Sequence, residues 1–272
     1  MGLGVLNNIS AVYAENSLNH TQASLNTTLQ QLSTGSRINS GADDAAGLSL
    51  ADGLAAASTA LTQSSSNASE GVDMLQVADG AMSQVTTLLN RAVTLATEAS
   101  NGTLNGAQVT AANAEYTNIL AEIDNINTNT EYNGTAVFGA TAATVFTSDG
   151  TLSQTNDASI GATVSVATLG LTAAGFTDNA TAQTELTKIT AAIGTIATDR
   201  GTAGADINTL TAVSNVMSNE STNELSAEND VTATDYGAAT SNMSKDEILM
   251  QTGISALSQA NQSQQLITKL LQ

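Results

Sequence analysis

The chain has 272 residues, 41% of them hydrophobic yet only 3% aromatic, with no Trp, Pro or Cys and a formal charge of -19 from 25 acids against six Lys and Arg. That acidity argues against nucleic acid or an anionic membrane as partner. The absence of Cys excludes a disulfide framework and a thiolate metal site, and no apolar run approaches the roughly 20 residues of a membrane span.

The opening "MGLGVL" has no positive region ahead of an apolar block and no Ser or Thr suited to myristoylation, so no cleavable secretory address is expected. Leu6, Ile9, Tyr13, Leu18, Leu25, Leu29 and Leu32 then recur at helix-like spacing among Asn, Thr, Gln and Ser, which predicts an amphipathic helix over residues 3–32. "TGSRINSGADDAAGLSLA" (34–51) follows as a polar joint. Gly35, Gly41 and Gly47 are expected to supply the backbone angles of a bend, and Asp43 and Asp44 to favour the start of the next helix. Arg37 is left with two readings, a bridge to a carboxylate or a solvated linker charge.

From about residue 58 to 100 the pattern is stronger. Leu61, Ala68, Leu75, Met82, Leu89 and Ala96 fall at seven-residue intervals, with Ala78, Val85, Ala92 and Ala99 three residues on. A heptad seam kept this long implies a coiled-coil-like helical rod. "NGT" at 101–103 and Asn105-Gly106 end it, and Tyr116, Ile119, Ile123 and Ile126 define a returning, antiparallel helix. The period then changes. Asn133-Gly134 reads as a turn, and "ATVFT" (143–147) and "ATVSVATLGL" (162–171) as a small β element. Leu186, Ile189, Ile193 and Ile196, continuing through Ala203, Ile207, Leu210 and Met217, give a third long helix. After the polar stretch 220–240, Leu249, Ile254, Leu257, Ala260, Ile267 and Leu271 give a last helix.

Charge follows the same plan. Residues 1–42 balance Arg37 against Glu15, and residues 236–272 balance Lys245 and Lys269 against Asp246 and Glu247, so all the net charge lies between neutral ends. That distribution suggests ends buried in an assembly and a middle facing water. Catalysis has little to draw on. His20 is the single histidine, no HExxH is present, and the paired acids Asp43-Asp44 and Asp246-Glu247 read as helix-start and solvated residues. No catalytic residue, metal or cofactor is expected, and the Met residues at 74, 82 and 217 read as core filler.

Residues 6–54, and above all "LSTGSRINSGADDAAGL", resemble the N-terminal signature of bacterial flagellin, and "TDYGAATSNMSKDEILMQTGISALSQANQSQQLITKLL" (234–271) resembles its C-terminal one. "LLNRAVTLATEASNGT" (88–103) and "TEYNGTAVFG" (130–139) resemble the first rod and a later turn. The resemblance implies a mainly α chain: a long helical rod with a small β element, its terminal helices forming a coaxial pair. It implies a minimal flagellin lacking the outer variable domains, with 1–42 and 233–272 in the inner filament core and 43–180 and 181–232 in the outer core layer.

It further implies a homopolymer forming the flagellar filament, extracellular and exported without a cleaved peptide, with hook-associated and cap proteins, the export apparatus and an export chaperone as partners. The chaperone would cover Ile254, Leu257, Ile267, Leu270 and Leu271. Arg91, Leu95 and Glu115 match a surface read by the animal flagellin receptor, although a usual Glu there is Thr94. Ala42, Asp230 and Thr232 replace cations common in the family, so salt bridges those cations make are not expected here. The other readings are a hook-filament junction protein and a secreted surface-binding protein.

Overall fold

Heptad spacing without proline becomes uninterrupted helix. The computed structural model describes residues 8–139, 144–148, 155–157 and 164–270, with side chains described except at 155–157 and 267–270. Among them are helices α1 (Ile9–Thr34), α2 (Ala45–Ser100), α3 (Gly106–Asn129), α4 (Asn179–Thr232) and α5 (Tyr236–Leu270), with strands β1 (Glu131–Tyr132), β2 (Thr135–Ala136), β3 (Thr144–Phe146) and β4 (Thr155–Asp157). The expected mainly α architecture with a small β element is what is found. Two compact units arise, one of Met1–Ala55 with Glu224–Gln272 and one of Ala56–Asn223.

In the second unit the seam read from the sequence is the core. Leu61, Ala68, Leu75, Ala78, Met82, Val85, Leu89, Ala92, Ala96 and Ala99 are all buried on α2, and α3 adds Tyr116, Ile119, Leu120 and Ile123. On α4 the buried positions Ala182, Ile189, Ile196, Ala203 and Leu210 keep the same seven-residue step. The two long helices run antiparallel in constant register. Ser58 meets Ser221 at 3.0 Å, Ser65 meets Ser214 at 2.9 Å, and Arg200 Nε donates to Asp79 at 2.7 Å, so each step along α2 is matched by an equal step back along α4. Small hydroxyl pairs let the backbones approach where larger residues would splay them. Asn105 and Gln108 close a capping box at the start of α3. The β1–β2 hairpin turns on Asn133 and Gly134, both at positive φ, as the Asn-Gly pair predicts.

One expectation is corrected. The part of 162–171 that is described, from Val164 on, is a turn and not a strand. Leu171 N–H bonds Val166 O, Gly170 takes a left-handed φ of 70°, and Asp124 Oδ1 accepts the Val166 N–H at 2.8 Å. Val164, Val166, Leu169 and Leu171 are buried nonetheless. Burial of alternate residues there comes from a compact turn laid on helices, which imitates the two-residue period of a strand. α4 itself runs on to Thr232, through the first part of the polar stretch 220–240. That span lacks apolar periodicity but also lacks any Gly or Pro before Gly237 to stop the helix.

Beside the α4 seam, the companion positions held by buried Glu185 and Ala192 continue into Asp199 and Asp206, which are half-buried. Burial raises both carboxyl pKa values, by disfavouring the charged form. A carboxyl raised in the folded state contributes stability below its unfolded pKa and loses it as pH rises through the folded value. Asp199→Asn with Asp206→Asn is therefore expected to raise the melting temperature at pH 7, with the gain vanishing below about pH 4. Equal gain at both pH values in a thermal scan would contradict this.

Candidate functional site

The first unit is built on α1 and α5, which lie antiparallel. Asn8 Nδ2 donates to Ala260 O at 3.0 Å, Ser24 Oγ donates to Asp246 Oδ2 at 2.7 Å, and Thr234 N–H reaches Gly35 O at 3.0 Å. Buried and half-buried residues mark the seam. They are Ala11, Ala14, Leu18, Thr21, Leu25, Thr28 and Leu32 on α1, and Ala239, Met243, Asp246, Met250, Gly253, Leu257 and Ala260 on α5. Both sets step by threes and fours, as in a coiled coil. The seam is small and polar for such a pair, and Asp246, only 7% exposed, is held inside it by Ser24.

The large apolar residues named from the sequence divide between two environments. Leu18, Leu25, Leu32 and Leu257 face the seam, whereas Ile9, Tyr13 (70% exposed), Leu29, Leu249 and Ile254 point outward. Val12, Ile248 and Leu266 are exposed as well, and the sequence reading passed over them. Leu6 and Leu271 lie outside the described residues, and Ile267 has no described side chain. Helices that are apolar on more than the face they pack are suited to burial in something larger.

The joint between α1 and α2 is stitched to the α4–α5 connection. Arg37 N–H bonds Thr232 O at 2.6 Å, and Ser36 and Ala233 form an antiparallel bridge. Among the described residues Arg37 meets no carboxylate. Its Nη2 donates to Val231 O at 2.9 Å, at the C-terminal end of α4, where exposed carbonyls favour a cation. Asp44 caps α2, accepting the Gly47 N–H at 2.8 Å. Asp43 instead accepts the N–H groups of Asn39 and Ser40, and these bonds hold its carboxyl below the usual range.

The three glycines have different reasons. Gly35 ends α1 with a φ of 72°. Gly47 is helical, and a Cβ there would meet Asp44 Oδ2 at 2.6 Å and Ile38 Cδ1 at 2.7 Å, so a side chain would displace the capping carboxylate and Ile38, and close approach, not bending, favours glycine. Gly41 has only ordinary contact with Leu48, so nothing in the structure requires glycine there. Tyr236, over Gly35, is a joint residue that the sequence reading missed.

The family model of the bacterial flagellin N-terminal helical region matches residues 5–143, and that of the C-terminal helical region matches residues 186–271. The flagellin of Listeria monocytogenes is 33% identical over 284 residues, spanning 97% of this chain and 98% of that protein. This chain belongs to the bacterial flagellin family. The flagellar filament 33 kDa core protein of Treponema phagedenis is 28% identical over 97% of this chain and 98% of its own length. A crystal structure of Bacillus cereus flagellin is similar over 56% of this chain and 88% of that one, at 30% identity and a TM-score of 0.47.

As a flagellin, the chain is a structural subunit of the bacterial flagellar filament. Flagellins form a structural protein family. On the α2–α3 surface of this flagellin, Arg91 Nε donates to Glu115 Oε1 at 2.7 Å, and both side chains are exposed. Leu95 is not part of that surface. It is 3% exposed, turned into the core with its neighbour Ala96. No helix among the described residues is long and apolar enough to cross a membrane.

Proposed function

We propose that the α1–α5 pair is the cohesive inner layer of the filament and that the α2–α4 region is its acidic outer core layer. In this reading residues 1–42 and 233–272 form the former, and 43–180 with 181–232 the latter. Leu18, Leu25, Leu32 and Leu257 hold the pair together, and Ile9, Tyr13, Leu29, Leu249 and Ile254 meet neighbouring subunits. Leu6, Ile267 and Leu271 extend the same role. The observation that supports this most is the exposure of large apolar side chains on a pair already packed along its seam, Ile254 at 54% among them.

The protein acts outside the cell after export without a cleaved peptide, and its chemistry is assembly rather than catalysis, with no cofactor. Hook-associated and cap proteins are its partners at the filament ends. An export chaperone covers the C-terminal helix before delivery to the export apparatus. Arg91 and Glu115 are the residues that the animal receptor could meet, with Leu95 acting only through packing beneath them.

An isolated α1 or α5 has a seam too small and polar to be stable alone, so both ends are expected to order on assembly. Limited proteolysis should trim both termini of free subunits and spare them in filaments seen by electron microscopy. Equal resistance in the two states would count against the inner-layer role.

A further inference from the structure

Asp246 is the one charged side chain among the seam residues of the α1–α5 pair, and it is buried. Met243 and Met250 flank it along the seam of α5, and on α1 buried Leu25 follows Ser24, with buried Thr28 one turn beyond. Ser24 Oγ donates to Asp246 Oδ2 at 2.7 Å, and among the described residues no cation pairs with this carboxylate. Lys245, beside it in the sequence, is exposed. A carboxylate accepts about four hydrogen bonds in water, and a single hydroxyl replaces few of them. A charge taken from water with neither a counter-ion nor a full set of donors opposes the step that buries it.

We infer that Asp246 holds the α1–α5 pair open in the free chain. Open ends leave the carboxylate hydrated, whereas closing the pair strips that water and returns only the Ser24 bond. The other seam residues are apolar, small or hydroxyl-bearing, so the opposition to closing is concentrated at one side chain. Asp246 therefore acts within a single chain, before any second copy is met. This role rests on the reading that both ends order on assembly, and it assigns that behaviour to one residue. It also fixes a sign: replacing an ordinary seam residue loosens the pair, and replacing Asp246 tightens it.

Amide hydrogen exchange of the full-length chain, kept below its critical concentration, reads the closing of the pair. Asp246→Ala installs a residue type that the seam already uses at Ala11, Ala14 and Ala260, and should slow exchange in both α1 and α5 about tenfold, with the α2–α4 core unchanged. Asp246→Asn keeps the shape and removes only the charge, and should slow exchange in the same helices by a smaller factor. Asn242→Ala, exposed one turn earlier on α5, brings a similar gain in helix propensity without touching a buried charge, and should change exchange by less than about twofold. If Asp246→Ala or Asp246→Asn exchanges as fast as the unmodified chain, or Asn242→Ala slows exchange as much as Asp246→Ala does, this role is overturned and ordering on assembly is left standing. Unmodified ends as protected in the free chain as in filaments overturn the ordering reading and this role with it.

Discussion

Leu257→Asp is expected to raise the critical concentration for polymerisation about a hundredfold while leaving the melting of the second unit unchanged. Leu257 sits in the α1–α5 seam, half-buried, in a C-terminal segment whose charges cancel. An aspartate there loses the apolar contact and also brings an unpaired carboxylate into a seam that already contains Asp246. A cost of about 3 kcal/mol per subunit corresponds to roughly two powers of ten in an association constant. The second unit shares no residue with that seam, because its core is drawn from residues between Leu61 and Leu210. Sedimentation of the variant at graded concentrations, beside a thermal scan, checks both halves. Unchanged assembly, or a parallel fall in melting temperature, would contradict the division of labour.

The largest single effect on the second unit is expected at Glu185. This carboxylate is 2% exposed and is surrounded by donors: Thr172 N–H at 2.6 Å, Tyr116 OH at 3.1 Å and Lys188 Nζ at 3.0 Å. It joins α3, the turn before α4 and α4 itself. Burial, with the Glu185 charge beside it, pushes the Tyr116 phenol well above its ordinary range, so the hydroxyl stays a donor across all working pH. Glu185→Ala would leave the buried hydroxyl and the Thr172 N–H without their acceptor, at a cost of about 2–5 kcal/mol. Glu185→Gln, which keeps an acceptor of the same shape, should lose less. Tyr116 also packs against buried Phe176 in a tilted pair, their ring centroids 5.2 Å apart, so Tyr116→Phe should retain most of the packing and lose only the hydroxyl's bond. Urea denaturation of the three variants would reveal the ordering, and an alanine variant as stable as the parent would refute it.

The long seam of α2 was legible because large and small apolar residues repeat every seven positions over a helix with no proline, and every one of those positions is buried. The α1–α5 seam was less legible for a physical reason. Between its leucines the seam is filled by Thr21, Thr28, Asp246 and Gly253, residue types that hydrophobicity alone assigns to the surface. Reading the large apolar residues as one face therefore mixed seam residues such as Leu25 with outward ones such as Tyr13. At the joint, the need for glycine and acid was visible, yet the partners were not. Val231, Thr232 and Tyr236 come from nearly two hundred residues away. Local spacing can predict that Asp44 caps a helix; it cannot predict that Arg37 caps another one.

In the proposed filament, neutral terminal helices cohere against an acidic middle that repels. Arg91 is paired with Glu115, Lys188 with Glu185 and Arg200 with Asp79, so the cations of the middle segment are already engaged within the chain and are not free to offset a neighbour's acids. Repulsion between subunits then acts through water and is screened over about 8 Å at physiological salt. Critical concentration measured against ionic strength at pH 7 tests the claim most directly. It should fall steadily as salt is added, because screening weakens the repulsion and leaves apolar cohesion intact. A critical concentration that rises with salt would mean that ion pairs between subunits, not neutral helices, hold the filament together.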